Sequence, residues 1–152
     1  MASIHQGAFF GNPKKGFFVS AGIYTDKISL VNLTKGTKKT LSGPLNYFPS
    51  YKLINGPHGE NIVIDTSKNP YMYDGGFVGN ELIYLGFIGK NRIELQNLED
   101  GFNNILVLDF DGNPLIHYKL DQAILRFTVD EKRRKFFGTT TDKEPGILVF
   151  EY

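Results

Sequence analysis

The apolar residues of this sequence fall into short runs that either alternate with polar residues or continue unbroken, and turn-forming residues separate the runs. This pattern predicts an all-β chain, because helices need a longer run with a period near 3.6 residues. Asp111-Gly112 is the clearest hairpin turn. The predicted strands are 7–10, 17–24, 28–33, 39–41, 61–65, 70–73, 81–88, 105–110, 115–120, 123–129, 136–141 and 147–152.

Two of the predicted strands are apolar at consecutive positions, Ile105–Leu108 and Ile147–Phe150. A strand in a sheet with one solvated face alternates between apolar and polar residues, whereas a strand buried on both faces does not. We therefore expect sheets stacked on both sides, as blades are stacked in a β-propeller. The alternative fold is a small carrier barrel of lipocalin-like size, which needs a clean in–out alternation that these strands lack.

A loose repeat of strand, turn, strand, turn and outer strand begins near Phe17, Glu81 and Phe136, and its third copy is incomplete. The irregular middle lengthens the intervals between these copies, whereas the regular parts have a period of about 40 to 45 residues, which is typical of four-stranded propeller blades. The 152 residues thus correspond to about three to three and a half antiparallel blades, and closed propellers use about four to eight.

The chain is accordingly predicted to be a single half-propeller domain over 1–152, with a blade over 5–43, an irregular part over 44–121 and an incomplete blade over 122–152. An open arc of blades leaves two apolar faces uncovered, and soluble monomers rarely expose large apolar patches. We expect a homodimer or a missing propeller half to cover these faces.

The composition of the chain argues against several classes of function. With a net charge of +1, the chain lacks the excess of positive charge that is typical of nucleic-acid-binding proteins. No run approaches the roughly 20 apolar residues of a membrane-spanning helix, so no membrane span is expected. The absence of cysteine excludes disulfides, thiol catalysis and thiolate metal sites.

No metal or cofactor is predicted. The three histidines, His5, His58 and His117, lack metal-ligand spacing. Asp109 could begin a calcium loop, but its twelfth position is Leu120 instead of the required glutamate. A hairpin turn explains this segment better.

No catalytic residue is predicted either. Asp65, Asp74 and Glu81 are carboxylates in the irregular middle, and a pair of carboxylates at a suitable separation can cleave a glycosidic bond. Sequence alone supplies no such separation, and turn or solvated roles explain these residues better. No nucleophile elbow and no phosphate-binding loop is present.

The candidate ligand-binding residues are His5, Gln6, Arg126, Tyr71 and Tyr73. The first two precede a strand that is innermost in its blade, and innermost strands line the central channel of a propeller. Aromatic side chains near prolines can form a platform for a sugar or a peptide, although filling the core is the common alternative. Carbohydrate and peptide are therefore the candidate ligands.

The end of the sequence resembles the C-terminal part of the TolB-like six-bladed β-propeller family. The resemblance rests on ILVLDFDGNP at 105–114, YKLD at 118–121, FTVDE at 127–131 and ILVFE at 147–151, with earlier support from HQG at 5–7 and NP at 12–13. It implies a bacterial propeller with a periplasmic or cell-surface binding role, and it implies no catalytic residues. Members of the family are about twice as long, so this chain resembles their second half.

Members of that family also carry an export signal and a lipid-anchor cysteine, neither of which this sequence has. As written, the sequence predicts a cytoplasmic protein or one whose export signal has been removed. The favoured function is a non-enzymatic binding or scaffold module completed by self-association. The alternative is a propeller hydrolase or lyase that acts on carbohydrates or lactones.

Overall fold

The computed structural model describes residues 2–57, 59–95, 101–140 and 146–152. In these residues, strands β1 to β13 form three antiparallel sheets and one separate two-stranded hairpin. Two 3-10 helices, Ala2–His5 and Pro13–Lys15, are the helical elements of the described chain. No helix in this part is long and apolar enough to cross a membrane.

Sheet A is formed by four strands in sequential order, so each strand pairs with the next along the chain. Gly16 closes the first turn with a left-handed backbone (φ 60°), which glycine adopts without strain. The register aligns Phe10, Val19 and Leu30 on one face. The strands are β1 Gly7–Asn12, β2 Phe17–Gly22, β3 Lys27–Asn32 and β4 Thr37–Ser42.

A hairpin follows sheet A and consists of β5 Tyr51–Gly56 and β6 Gly59–Ile64. It pairs with no other sheet, and β6 lies against the N-terminal 3-10 helix. The sequence pattern predicted only the second of these strands. Prolines and asparagines flank the first, and such residues ordinarily mark loops.

Sheet B contains four strands in the order β10-β9-β8-β7. Strand β7 runs through Asp74, Gly75 and Gly76, beyond the end of the strand predicted over 70–73. Its pairing with β8 shifts register on either side of Tyr73, and such bulges let a strand continue through an irregular stretch. The strands are β7 Tyr71–Val78, β8 Ile83–Lys90, β9 Phe102–Leu108 and β10 Pro114–Ile124.

Sheet C contains β11 Arg126–Asp130, β12 Lys135–Thr140 and β13 Gly146–Glu151. The single strand predicted over 123–129 is split, because β10 ends at Ile124 and the chain turns at Leu125. Leucine is not a turn-forming residue, so the sequence gives no sign of this corner. The corner makes Arg126 the first residue of the edge strand β11.

Sheet B lies between the other two sheets and is buried on both faces. Leu106 and Leu108 belong to the core shared with sheet A, whereas Ile105 and Val107 belong to the core shared with sheet C. This confirms the two-sided burial predicted for Ile105–Leu108.

The same prediction is wrong for Ile147–Phe150 within the single chain. Leu148 and Phe150 pack inward against sheet B. Ile147 is 70% exposed and Val149 is 52% exposed. The outward side of sheet C, here called its open face, consists of the residues that alternate with the packed ones, namely Arg126, Thr128, Asp130, Lys135, Phe137, Thr139, Ile147, Val149 and Glu151.

Sheet A has a corresponding open face on the side turned away from sheet B. Phe9 is 70% exposed there, and its ring stacks on Phe18 with centroids 5.7 Å apart. The residues of this face are Gly7, Phe9, Gly11, Phe18, Ser20, Gly22, Lys27, Ser29, Val31, Lys38, Thr40 and Ser42. Three stacked, blade-like antiparallel sheets with two open end faces form about half of a six-bladed propeller, whereas a compact barrel would join its strands into one sheet.

Candidate ligand site at the inner strands

Each sheet contributes one edge strand to a common wall. Strands β1, β7 and β11 are the terminal strands of their sheets, and β7 lies against both β1 and β11. Their ends coincide, since the side-chain amide of Asn12 at the end of β1 donates a 3.0 Å hydrogen bond to the carbonyl of Gly79 just after β7. These are the inner strands, which in a propeller line the central channel.

A cavity of about 380 Å³ opens between the three inner strands. Its size is in the usual range for small-molecule sites. We call it the inner-strand pocket, and its lining residues are Gly7, Ala8, Phe9, Phe10, Ile23, Asp74, Gly75, Gly76, Arg126 and Phe127.

One ion pair crosses the inner-strand pocket. The guanidinium of Arg126 lies 2.9 Å from the carboxylate of Asp74 and also donates a 2.6 Å hydrogen bond to the carbonyl of Leu125. The bulge at Gly75 (φ 99°) places Asp74 opposite the start of β11. The Arg126 side chain is 64% exposed, and a guanidinium has five N–H donors. Donors remain available for a ligand.

His5, Gln6 and Tyr71 lie at the same end of the inner strands as Arg126. His5 and Gln6 precede β1 and are exposed, and neither side chain makes a hydrogen bond within the described residues. Tyr71 begins β7, and its ring packs against Tyr24 at 5.7 Å between centroids. The structure thus brings these three residues to the same end of the inner strands, outside the lining of the pocket.

Tyr73 has a different position from the other candidate residues. It is fully buried in the core between sheets A and B, and its hydroxyl donates a 2.6 Å hydrogen bond to the carboxylate of Asp26. Burial, followed by the bond to Asp26, raises the pKa of this tyrosine above its ordinary value of 10.0. Tyr73 therefore joins two sheets, and we leave it out of the site considered below.

The three carboxylates considered for glycosidic chemistry have different partners. Asp65 accepts a 3.1 Å hydrogen bond from the backbone of Ser67 in the loop before β7. Asp74 pairs with Arg126, and Glu81 is exposed beyond the opposite end of β7. No group of three histidine, aspartate or glutamate side chains in the described ranges is arranged to hold a metal ion.

The segment considered as a calcium loop is a turn. The Asp109 carboxylate accepts hydrogen bonds from the backbone of Asp111 at 2.9 Å and of Asn113 at 2.8 Å. A further bond comes from the side-chain amide of Asn113, and these bonds hold the pKa of Asp109 below its usual value. The structure places Gly112 in a left-handed conformation (φ 84°), as a hairpin turn requires.

Two buried or bridging carboxylates that the sequence did not single out connect neighbouring sheets. Asp26 accepts hydrogen bonds from Tyr73 and from the backbone of Leu45, at 2.6 Å each. Glu131 follows β11 and accepts backbone hydrogen bonds from Asn80 at 2.7 Å and Leu82 at 3.1 Å in the β7–β8 turn. Nothing in the sequence pattern distinguishes these carboxylates from solvated turn residues.

Stacked blade-like sheets with their inner strands against one channel wall are the arrangement of a propeller, and comparison with known families agrees. A family described as TolB-like 6-blade propeller-like matches residues 1–132. The chain belongs to this family. No curated protein matches the sequence. The three sheets described above, A, B and C, are half the number of blades in the family's description.

Proposed function

We propose that this TolB-like propeller chain is a non-enzymatic binding or scaffold module whose ring is closed by a second copy. The observation that carries the proposal is the pair of open end faces. Phe9 on sheet A and Ile147 on sheet C are each 70% exposed, and Val149 beside Ile147 is 52% exposed. In sheet B, which has neighbours on both sides, Leu85, Ile105 and Val107 of the middle strands are fully buried.

A two-fold axis along the channel accounts for both open faces at once. The open face of sheet A in one copy would pack on the open face of sheet C in the other, and symmetry repeats this contact on the far side of the ring. Burying a large aliphatic or aromatic side chain contributes about 1.5 to 3 kcal/mol. Phe9, Ile147 and Val149 would each be used twice in the ring, so their burial favours association.

Ring closure also supports a channel site. Each copy would contribute one inner-strand pocket, with an Arg126–Asp74 pair that offers N–H donors and carboxylate acceptors beside the rings of Phe9 and Phe10. Polar groups next to aromatic rings suit carbohydrate or peptide ligands. In this proposal Arg126 and Asp74 contact the ligand, and His5, Gln6 and Tyr71 border the entrance.

The experiment is a measurement of solution mass by light scattering after gel filtration. The proposal predicts a particle of twice the 17.1 kDa chain mass. Ile147→Lys places a charge on the open face of sheet C and is expected to yield a folded monomer. Ile93→Lys is the matched control, because Ile93 is similarly exposed (73%) but lies in the β8–β9 connection. A folded wild-type monomer contradicts the proposal, as does a dimer that Ile147→Lys leaves intact.

A further inference from the structure

A second cavity lies between sheets A and B and is separate from the inner-strand pocket. It has a volume of about 430 Å³, within the usual range of ligand sites. The β1–β2, β3–β4 and β9–β10 turns surround it, and these turns contribute Lys15, Lys35 and Asp111 to its lining. We call it the lysine crevice.

The floor of the lysine crevice is aromatic. Phe17 of sheet A is 5% exposed, and its ring meets the Phe110 ring edge to face, with centroids 4.8 Å apart. Leu30 lines the crevice beside them. Because Phe17 is almost fully covered, the apolar contact that the floor offers to a flat group comes mainly from the partly exposed Phe110.

The rim is cationic. Lys39 pairs with Leu30 in the register of β3 and β4, so it lies on the face of sheet A that packs on sheet B. Its ammonium donates a 2.6 Å hydrogen bond to the carbonyl of Asp111. The ammonium of Lys15 lies 5.2 Å from the centre of the Phe110 ring.

The charges on the rim are not neutralised within the protein. Lys15, Lys35 and Lys39 supply three positive charges, and Asp111 is the single carboxylate in the lining. Among the described residues, none of these three lysines forms an ion pair with a carboxylate. Like charges gathered at a low-dielectric cleft attract an anion.

The turns that hold two of the lysines are fixed against each other. The backbone of Leu33 donates a 2.8 Å hydrogen bond to the carbonyl of Gly16, and the Thr34 hydroxyl donates one of 3.3 Å to the carbonyl of Lys15. Side chains on an ordered backbone need less reorganisation when a ligand binds.

We propose that the lysine crevice binds a small organic anion that carries a ring. The ring packs on Phe110, above the nearly buried Phe17, and the anionic group, a carboxylate, sulfate or phosphate, lies among the ammonium groups of Lys15, Lys35 and Lys39. This site is independent of ring closure, because the residues named here belong to sheets A and B of one chain.

The test is a titration followed by amide NMR, with phenyl phosphate as the probe and inorganic phosphate as the comparison. Phenyl phosphate is expected to give saturable shifts at residues 15–17, 32–39 and 110–111, and to bind at least about tenfold more tightly than inorganic phosphate because of the aromatic floor. Lys15→Gln and Lys39→Gln are each expected to weaken binding about tenfold through the loss of a charged contact.

The matched controls are Lys14→Gln and Lys38→Gln, which remove neighbouring charges that lie outside the crevice lining. They are expected to change the affinity by less than about twofold, since exposed charges are screened. The proposal is overturned if the shifts do not saturate, if the controls weaken binding as much as the crevice variants, or if inorganic phosphate binds as tightly as phenyl phosphate.

Discussion

The hydroxyl of Tyr73 on β7 donates a 2.6 Å hydrogen bond to the carboxylate of Asp26, which lies in the turn between β2 and β3. Both side chains are fully buried, and the other carboxylate oxygen accepts the backbone N–H of Leu45 at 2.6 Å. The bond joins sheet B to sheet A across 47 residues of sequence. Buried charges are stable only when they are paired or hydrogen-bonded in this way.

Tyr73→Phe is expected to lower the free energy of unfolding at neutral pH by about 1 to 3 kcal/mol, because Asp26 loses a buried donor. The pKa of Tyr73 is raised above 10.0 in the folded chain. Its contribution is therefore fully present below pH 10 and is lost as the pH rises beyond that value. Urea unfolding between pH 7 and 11 measures both effects.

The variant should lose stability less steeply than the wild-type chain above pH 10, since one buried hydroxyl no longer titrates. Tyr51→Phe is the control, because Tyr51 is 47% exposed on the hairpin. It is expected to change stability by less than about 0.5 kcal/mol. Equal effects of the two substitutions would mean that the Asp26–Tyr73 bond does not stabilise the fold.

Gly43 packs against the hydrogen-bonded side chains of Asp26 and Tyr73. A methyl group at this position would come within 2.0 Å of both the Asp26 carboxylate and the Tyr73 hydroxyl. Gly43→Ala should therefore cost more than about 2 kcal/mol, through overpacking and disrupted hydrogen bonds. Gly36→Ala, where no atom lies within 4 Å but φ is 61°, should cost only about 1 kcal/mol. Thermal unfolding of the two variants gives the comparison, and an equal loss argues against the contact.

Glu131 holds the β7–β8 turn through backbone hydrogen bonds from Asn80 and Leu82. Glu131→Ala is expected to destabilise the chain by about 1 to 3 kcal/mol and to speed amide hydrogen exchange at residues 80–82, because these N–H groups lose their acceptor. Glu81→Gln alters an exposed side chain in the same turn and should leave both quantities unchanged. An unchanged rate of amide exchange in Glu131→Ala would contradict this role, because it would mean that water replaces the carboxylate as acceptor with no loss of protection.

The Arg126–Asp74 pair should contribute little to stability despite its 2.9 Å separation, because the arginine side chain is 64% exposed. Exposed ion pairs typically contribute about 0 to 1 kcal/mol. Arg126→Ala and Asp74→Ala are therefore expected to unfold within about 1 kcal/mol of the wild-type chain in urea. A loss above about 3 kcal/mol in either variant would indicate a structural role and weaken the case for a ligand site.

A strand is predicted well from the sequence when the apolar spacing of its own residues and the adjacent turn residues are enough to define it. Strands β2, β3 and β12 have regularly spaced apolar residues between clear turn residues. The Asp111-Gly112 turn lies where this turn-forming dipeptide predicts it. The pattern fails at Leu125, because an apolar residue occupies the corner between two sheets. It also fails at Gly75, where β7 continues through a bulge because it pairs with β8. This pairing joins residues that are distant along the chain, so the local sequence pattern does not reveal it.

The candidate site was only partly predictable for a related reason. The sequence predicts Arg126 as a ligand-binding residue and offers Asp74 as a candidate carboxylate, but the pairing of the two depends on the contact between β7 and β11. Tyr73 was included as an aromatic platform residue, although the alternation within β7 depends on bulges that the sequence does not reveal. The lysine crevice depends on the gap between two sheets, which no spacing along one strand indicates.

The packing of sheet A of one copy on sheet C of a second copy is the central claim, and site-specific cross-linking tests it most directly. The chain has no cysteine, so Ser20→Cys on the open face of sheet A and Thr128→Cys on that of sheet C are unambiguous attachment points. Stacked sheets lie about 10 Å apart, a distance that a short bismaleimide spans. The chain with both substitutions should give a covalent dimer, and each single variant should remain monomeric on a denaturing gel. Failure of the double variant to cross-link, or equal cross-linking of either single variant, would contradict the closed ring.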